Sequence, residues 1–368
     1  AEIESKYGST AWFAANKTTV AAARQSVQQH LLESEAEKLY VEAVELFNQK
    51  EFYDLKPIVE QLKSQYGQTP AVSDVARKPP LTELEKATAD LGRRIIVRQD
   101  GKGDFTSIQA AIDAAHHNCM IEIQDSASYD EKLLIPQDKR GLIIRAKKGM
   151  WPMIVSLPPK QPFENLVEIG AVNVLLENLI LVHNCGVGRS QDSAVRGGGR
   201  LRKCIVFPYI YGGELHIDAC FCKAMYAAAS VHCRDSIWVQ FPNYLMQVSQ
   251  FHNVLFLTGS RDVRSPSLFE KCTIIGDVAC ADGAVFRNCI LGSIKSGSNT
   301  LIEFCCVTNK PAFIDEVRPG KGCLSAQPMF RDPANLDYRL MPGSPCIGKA
   351  SDGGDLGCRY TPEMLELI

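Results

Sequence analysis

The 368 residues carry 40 Lys+Arg against 42 Asp+Glu, a near-balance that offers no general field for nucleic acid or an anionic membrane. The length suits two or three domains with a sizeable core, and no run of 18 apolar residues occurs, so no membrane-spanning helix is expected. The chain starts at Ala1 without Met and without the basic-then-apolar layout of a signal peptide, as a processed protein or a piece of a longer one would.

From about residue 18 to 49 there is no Gly or Pro, and Leu39, Ala43, Leu46 and Phe47 recur on one helical face. Asp54 is placed to cap a second helix with Pro57 in its first turn and Gly67 at its stop. Residues 1–67 are therefore read as a helical arm. The pair over 35–66 resembles a tetratricopeptide-type hairpin, although a plain tether or interaction arm is favoured over it. Residues 68–92, with Gln-Thr-Pro and Lys-Pro-Pro, read as a linker holding a short helix near 82–89. A strand at 94–97 follows. Thr106 and Gln109 then make a capping box for a helix over 106–117, whose apolar face (Ile108, Ala111, Ile112, Ala115) suits it to close the end of a solenoid.

Residues 200–307 contain a period. Aligned on one position, Cys204, Cys220, Ser236, Asn253, Cys272, Cys289 and Cys305 recur at spacings of 16, 16, 17, 19, 17 and 16, and Asn178 extends the frame upstream. Three places before each stands a mostly apolar column (Leu201, Ile217, Phe269, Phe286, Ile302), with Cys233 and Gln250 as exceptions. Two places after stands a fully apolar one: Ile180, Val206, Cys222, Trp238, Leu255, Ile274, Leu291 and Val307. Between them runs a charged column, Arg202, Asp218, Arg234, Glu270, Arg287 and Glu303, broken by Phe251. Strands stacked about 4.8 Å apart would set opposite charges side by side on an outer face. Rungs this short suit neither helix pairs nor propeller blades. The fold class is mainly β: a single-stranded right-handed parallel β-helix over 93–368, preceded by the helical arm, with a closing segment over 323–368.

Of the fourteen cysteines most are expected to be reduced and structural, since several sit in the small-residue ladder. If any pair bridges, Cys346 with Cys358 is the candidate. No C-x-x-C spacing occurs, and no metal or cofactor is expected.

The stretch from Val97 to Ala115 resembles the opening segment of pectinesterases and related pectin-lyase-like β-helix proteins. Tyr129-Asp130-Glu131-Lys132-Leu133-Leu134-Ile135-Pro136 is similar to that family's Tyr-x-Glu-x-x-x-Ile-Pro stretch. The likeness implies the scaffold, and it implies an esterase only if the family's two carboxylates are present, one to attack the ester and one to move protons. Gln191 and Asp192 match the family's Gln-Asp segment in type and rough spacing, although a turn in a Gly-rich loop is the plainer reading of them. The nucleophile segment falls on Pro208-Tyr209-Ile210-Tyr211-Gly212, and Pro208 has nothing to attack with. Gly259-Ser260-Arg261 is the nearest counterpart of the family's Arg segment. Residues 344–348 are similar to the closing segment of bacterial surface and secreted β-helix proteins, which implies an extracellular, cell-surface or periplasmic setting.

Outside the resemblance, His216 and His232 both lie four places before their ladder positions, so they should stack, with Arg200 before and Ser249 after. Asp218, Asp235 and Asp262 are candidate partners. Aromatics such as Tyr209, Tyr211, Tyr226, Phe241 and Tyr244 could meet sugar faces, while Trp238 belongs to the core. Binding residues are thus expected among His216, His232, Tyr209, Tyr211 and Arg261. The chain is expected to be a non-catalytic β-helix module binding polysaccharide or a protein partner. The alternative is an esterase or lyase acting on acidic polysaccharide.

Overall fold

The computed structural model describes residues 6, 8–49, 52–74, 76–156, 165–183, 193–240, 248–263, 266–280, 283–296, 299–309, 313–315 and 318–368. The chain divides into two units, 1–91 and 92–368.

In the first unit a long helix, Ala11–Gln49, packs its C-terminal half on Phe52–Tyr66 through Ala36, Tyr40, Ala43, Leu55, Val59 and Leu62. The second helix begins before Asp54, which lies in its first turn rather than at its cap. The stretch read as linker is packed. Short helices Pro70–Ser73 and Leu81–Thr88 put Ala71, Val72 and Leu84 into the same core, and Arg77 lies over the Tyr40 ring at 4.8 Å while pairing with Glu37.

The second unit is a right-handed parallel β-helix. Three faces are built by rung-to-rung parallel pairing. The first holds Leu133–Ile135, Val167–Ile169, Val195–Gly197 and, in register with it, residues 210–211. The second face runs from Arg94–Val97 through Met120–Ile123, Ile143–Ala146, Leu175–Glu177 and Gly199–Arg202 to Leu301–Glu303. The third holds Met153–Ser156, Ile180–His183 and the strands paired below them down to Leu324–Ser325. Every coil drops its inward side chains onto those of the next. On the second face Ile144, Leu176, Leu201, Ile217, Cys233, Phe251, Phe269, Phe286 and Ile302 form one inward file, all at most 3% exposed. The Phe251, Phe269 and Phe286 rings stack at 5.0 and 4.8 Å.

The corner between the second and third faces is one left-handed residue per rung: Asn178, Lys203, Ala219, Asp235, Asn253, Lys271, Asn288 and Phe304, with φ between 50 and 57°. Asn and Asp accept this conformation best among residues with a side chain. Each such N–H still donates to the next rung, as Asn253 does to the Glu270 carbonyl at 2.9 Å, so the ladder turns without losing bonds. The ladder residue follows the bend. Cys220 donates its thiol to the Asp218 carbonyl at 3.3 Å and accepts the Cys204 N–H at 3.4 Å, and Ser236 does the same one rung on, at 2.7 and 3.0 Å.

This register corrects the repeat at two rungs. Phe251 pairs with Phe269 and Leu176 with Leu201. The ladder places are therefore Val254 and Leu179, both 0% exposed, not Asn253 and Asn178, which are the left-handed bends beside them. The following core places are Phe256 and Leu181 rather than Leu255 and Ile180. The exceptions at Gln250 and Phe251 vanish, since Phe251 is inward and His252 takes the charged column, while Cys233 stays in the inward file. A slip of one residue exchanges the two faces of a strand.

The capping helix and the candidate disulfide differ from expectation as well. The capping helix is Ile108–Ala114 with Ser107, not Thr106, as N-cap, and the Glu131 carboxylate takes the N–H groups of Ile108 and Gln109 at 3.2 and 2.9 Å. Cys346 and Cys358 are free thiols in separate clusters, and no disulfide forms among the described cysteines. Burial pushes Cys220, Cys222, Cys289 and Cys305 far above the usual thiol range, so they stay protonated. The closing segment runs back along the corner and is tied to the bends. Asn253 exchanges two bonds with Arg359 (2.6 and 2.7 Å), Asn288 exchanges two with Ser351 (2.7 and 3.0 Å), and Lys271 pairs with Asp352 at 3.1 Å. Beneath it Ile237, Leu255, Cys358 and Met364 form an apolar seam on the third face.

Candidate functional site

Outward side chains of the second face form two files. In one, neighbours in register are Glu122, Arg145, Glu177, Arg202, Asp218, Arg234, His252, Glu270, Arg287 and Glu303. Opposite charges pair along it: Arg94 and Arg145 on Glu122, Arg202 on Glu177, Arg234 on Asp218 at 3.0 and 2.8 Å, and Arg287 on Glu303 at 3.1 Å. Burial works to raise the Glu122 carboxyl, but Arg94, Gln124 and Arg145 outweigh it and hold the group below the usual carboxylate range.

The other file is apolar at both ends and polar in the middle. It reads Ile143, Leu175, Arg200, His216, His232, Gln250, Leu268, Val285 and Leu301. His216 and His232 stack with ring centroids 4.9 Å apart and planes 11° from parallel. Arg200, His216 and Gln250 are exposed, and Arg200 makes no ion pair among the described residues. Glu214 Oε1 lies 3.6 Å from His216 Nε2. With Arg202, Asp218, Arg234 and His252 from the adjoining file, these residues line a cleft of about 280 Å³. A second cleft of about 430 Å³ shares Arg200 and His216 and adds Val172, Asn173, Gly198 and Glu214. The two clefts adjoin at Arg200 and His216.

The expected stacking of His216 and His232 is thus present, with Arg200 before them as anticipated. Ser249 is not in the file. It is buried, accepting the Val231 N–H at 3.1 Å, and Gln250 stands beside His232 instead. Asp218 and Asp235 serve Arg234 and Asn253 rather than the histidines. Tyr209 and Tyr211 lie half-buried on the first face, away from the cleft, where Arg196 sits over the Tyr211 ring at 5.6 Å. Pro208 is buried where the pairing of this strand with the next shifts register between Val206 and Tyr209, as a residue without an N–H requires. Trp238 is core, its indole donating to Cys233 Sγ at 3.3 Å. Gln191, Asp192, Phe241 and Tyr244 lie outside the described residues, as do the side chains of Tyr226, Arg261 and Asp262. Gln250 and His252 are the site residues that sequence reasoning missed. The signal was Phe251 itself, which belongs with Leu201 and Ile217.

No family model matches the chain, and no curated protein matches it by sequence. Among solved structures it is similar to a pectin methylesterase from carrot, at 13% identity over 63% of this chain and 88% of that one, with a TM-score of 0.38. A pectin methylesterase mutant in complex with a hexasaccharide is 11% identical, over 69% and 98%, at a TM-score of 0.37. One from Aspergillus niger is 13% identical, over 63% and 82%, at 0.30. Likenesses at these values carry no argument about chemistry; the fold rests on the rung register above.

Proposed function

We propose that this β-helix is a non-catalytic module that binds an acidic polysaccharide lengthwise across its second face. The observation that supports the reading is the polar window Arg200–His216–His232–Gln250, set into a file that is apolar above and below it. Nothing in the inward packing asks for those side chains, since the inward file is apolar through the same rungs. An array of donors that repeats at the rung spacing suits a chain molecule with its own short repeat. Arg200, which makes no ion pair among the described residues, suits an anionic one. The Tyr, Gln and Asp residues of the pectinesterase-like segments are left out of this reading, and Pro208 argues against ester attack at that place.

The test is a calorimetric titration with polygalacturonate and with fully methyl-esterified pectin, alongside a turnover assay on both. Wild type should bind the acidic polymer and turn over neither. Arg200→Gln should bind at least about tenfold more weakly, the weight of one charge-assisted bond. Turnover of either polymer, or equal affinity for both, would reject the reading.

A further inference from the structure

We infer that the window takes up protons together with its anionic ligand, so that affinity rises as pH falls. The inference rests on the ligand reading above and adds its regulation. Three of the seven histidines in the chain, His216, His232 and His252, line one cleft. Histidine is the side chain whose charge changes most readily between about pH 5 and 8. The surroundings decide what that charge does.

His216 and His232 face each other at 4.9 Å, and Arg200 adjoins His216 in register. Gln250, a neutral amide, adjoins His232. His252 stands between Arg234 and Glu270. Of the other charged groups lining the cleft, Arg202 is held by Glu177 and Arg234 by Asp218. Among the described residues the carboxylate within ion-pair distance of the stacked pair is Glu214, 3.6 Å from His216 with its side chain 68% exposed, while Asp218, also in the cleft lining, is taken up by Arg234. Two imidazolium rings stacked so closely repel each other, and the Arg200 guanidinium adds to that repulsion. An anionic chain laid over both rings supplies the missing counter-charge. The bound state therefore holds more protons than the free one, and by linkage a fall in pH must favour binding.

The experiment titrates the full chain with dextran sulfate, whose charge is constant in this range, at about pH 5.5 and about pH 8 in two buffers of unequal ionisation enthalpy. A parallel arm uses polygalacturonate, which separates a preference for sulfate from one for uronate. Its carboxylates stay ionised above about pH 5. Binding should tighten by up to about tenfold per pH unit for one linked proton, with net proton uptake read from the buffer dependence. The double variant His216→Gln/His232→Gln, shown by its melting curve to be folded, should bind more weakly and with a flat pH profile. Equal affinity at both pH values with no uptake overturns the proton linkage and leaves the ligand reading standing. An unchanged slope in the double variant overturns its assignment to the stacked pair. Failure to bind either polymer at any pH rejects the ligand reading itself.

Discussion

Two stretches of the second face share one backbone plan and differ in what they show to solvent. Over residues 199–252 the outward file is Arg200, His216, His232 and Gln250; over 268–303 it is Leu268, Val285 and Leu301. The inward file runs unbroken through both, and so does the left-handed corner. What stacking requires is therefore met in the same way in each stretch. The difference lies where stacking makes no demand, and that is where binding chemistry is to be sought.

The comparison breaks most visibly if the two cores are not equivalent. Phe251→Ala, under the polar window, and Phe286→Ala, under the apolar rungs, should each cost about 3–5 kcal/mol in denaturant unfolding. Each removes one ring from the same fully buried file. A far smaller cost for Phe251 would mean that the window rungs are packed differently. The corner should be the next largest effect. Asn253→Ala and Asn288→Ala each lose two side-chain bonds to the closing segment and the residue type best suited to a φ of 57°. About 1–3 kcal/mol each is expected, with earlier proteolysis near the C-terminus as an independent readout.

Acid unfolding sharpens the account of the charged file. Glu122 is 2% exposed, and Arg94 and Arg145 keep its carboxyl below the ordinary range. Because the folded value is the lower one, its contribution is complete above the ordinary carboxylate pKa of about 4.3 and is lost as pH falls from there through the folded value. Wild type should lose more stability than Glu122→Gln between about pH 5 and pH 3, although it starts from the higher value. Parallel curves would mean that the pairing does not titrate with unfolding.

Much of this architecture could be read from spacing alone, because a parallel coil writes its register into the chain at every rung. The reading failed by one residue at Asn178 and Asn253 for a definite reason. Asn suits both the left-handed bend and a small polar ladder place, so the residue type could not say which was occupied. The flanking apolar residues could have: Leu176 and Phe251 must point inward, and that choice alone brings His252 and Gln250 outward. The closing segment was recognised as a C-terminal motif, but its bonds to Asn253 and Asn288 join residues 106 and 63 places apart, which no local pattern carries. Converting the window into the apolar pattern of the lower rungs tests the division of labour directly. His216→Leu with His232→Val should abolish polyanion binding and leave the melting temperature within a few degrees, since both side chains point outward.

The smallest expected difference separates hydrogen bonding from simple space-filling in the ladder. Cys220 accepts the Cys204 N–H and donates to the Asp218 carbonyl, and Ser236 occupies the next place with the same two contacts. Cys220→Ser should thus be tolerated within about 1 kcal/mol despite putting a hydroxyl in a fully buried site. Cys220→Ala keeps the site apolar but leaves the Cys204 N–H without its acceptor. That N–H is inaccessible to water, so the cost should be larger, about 1–3 kcal/mol. If Ala proved the more stable of the two, the thiol would be a filler and the hydrogen-bonded ladder only a by-product of the stacking. The opposite order would mean that an acceptor is favoured at this place, where Cys220 and Ser236 each take an N–H of the preceding rung, although Leu179 and Val254 fill the same place on other rungs without one.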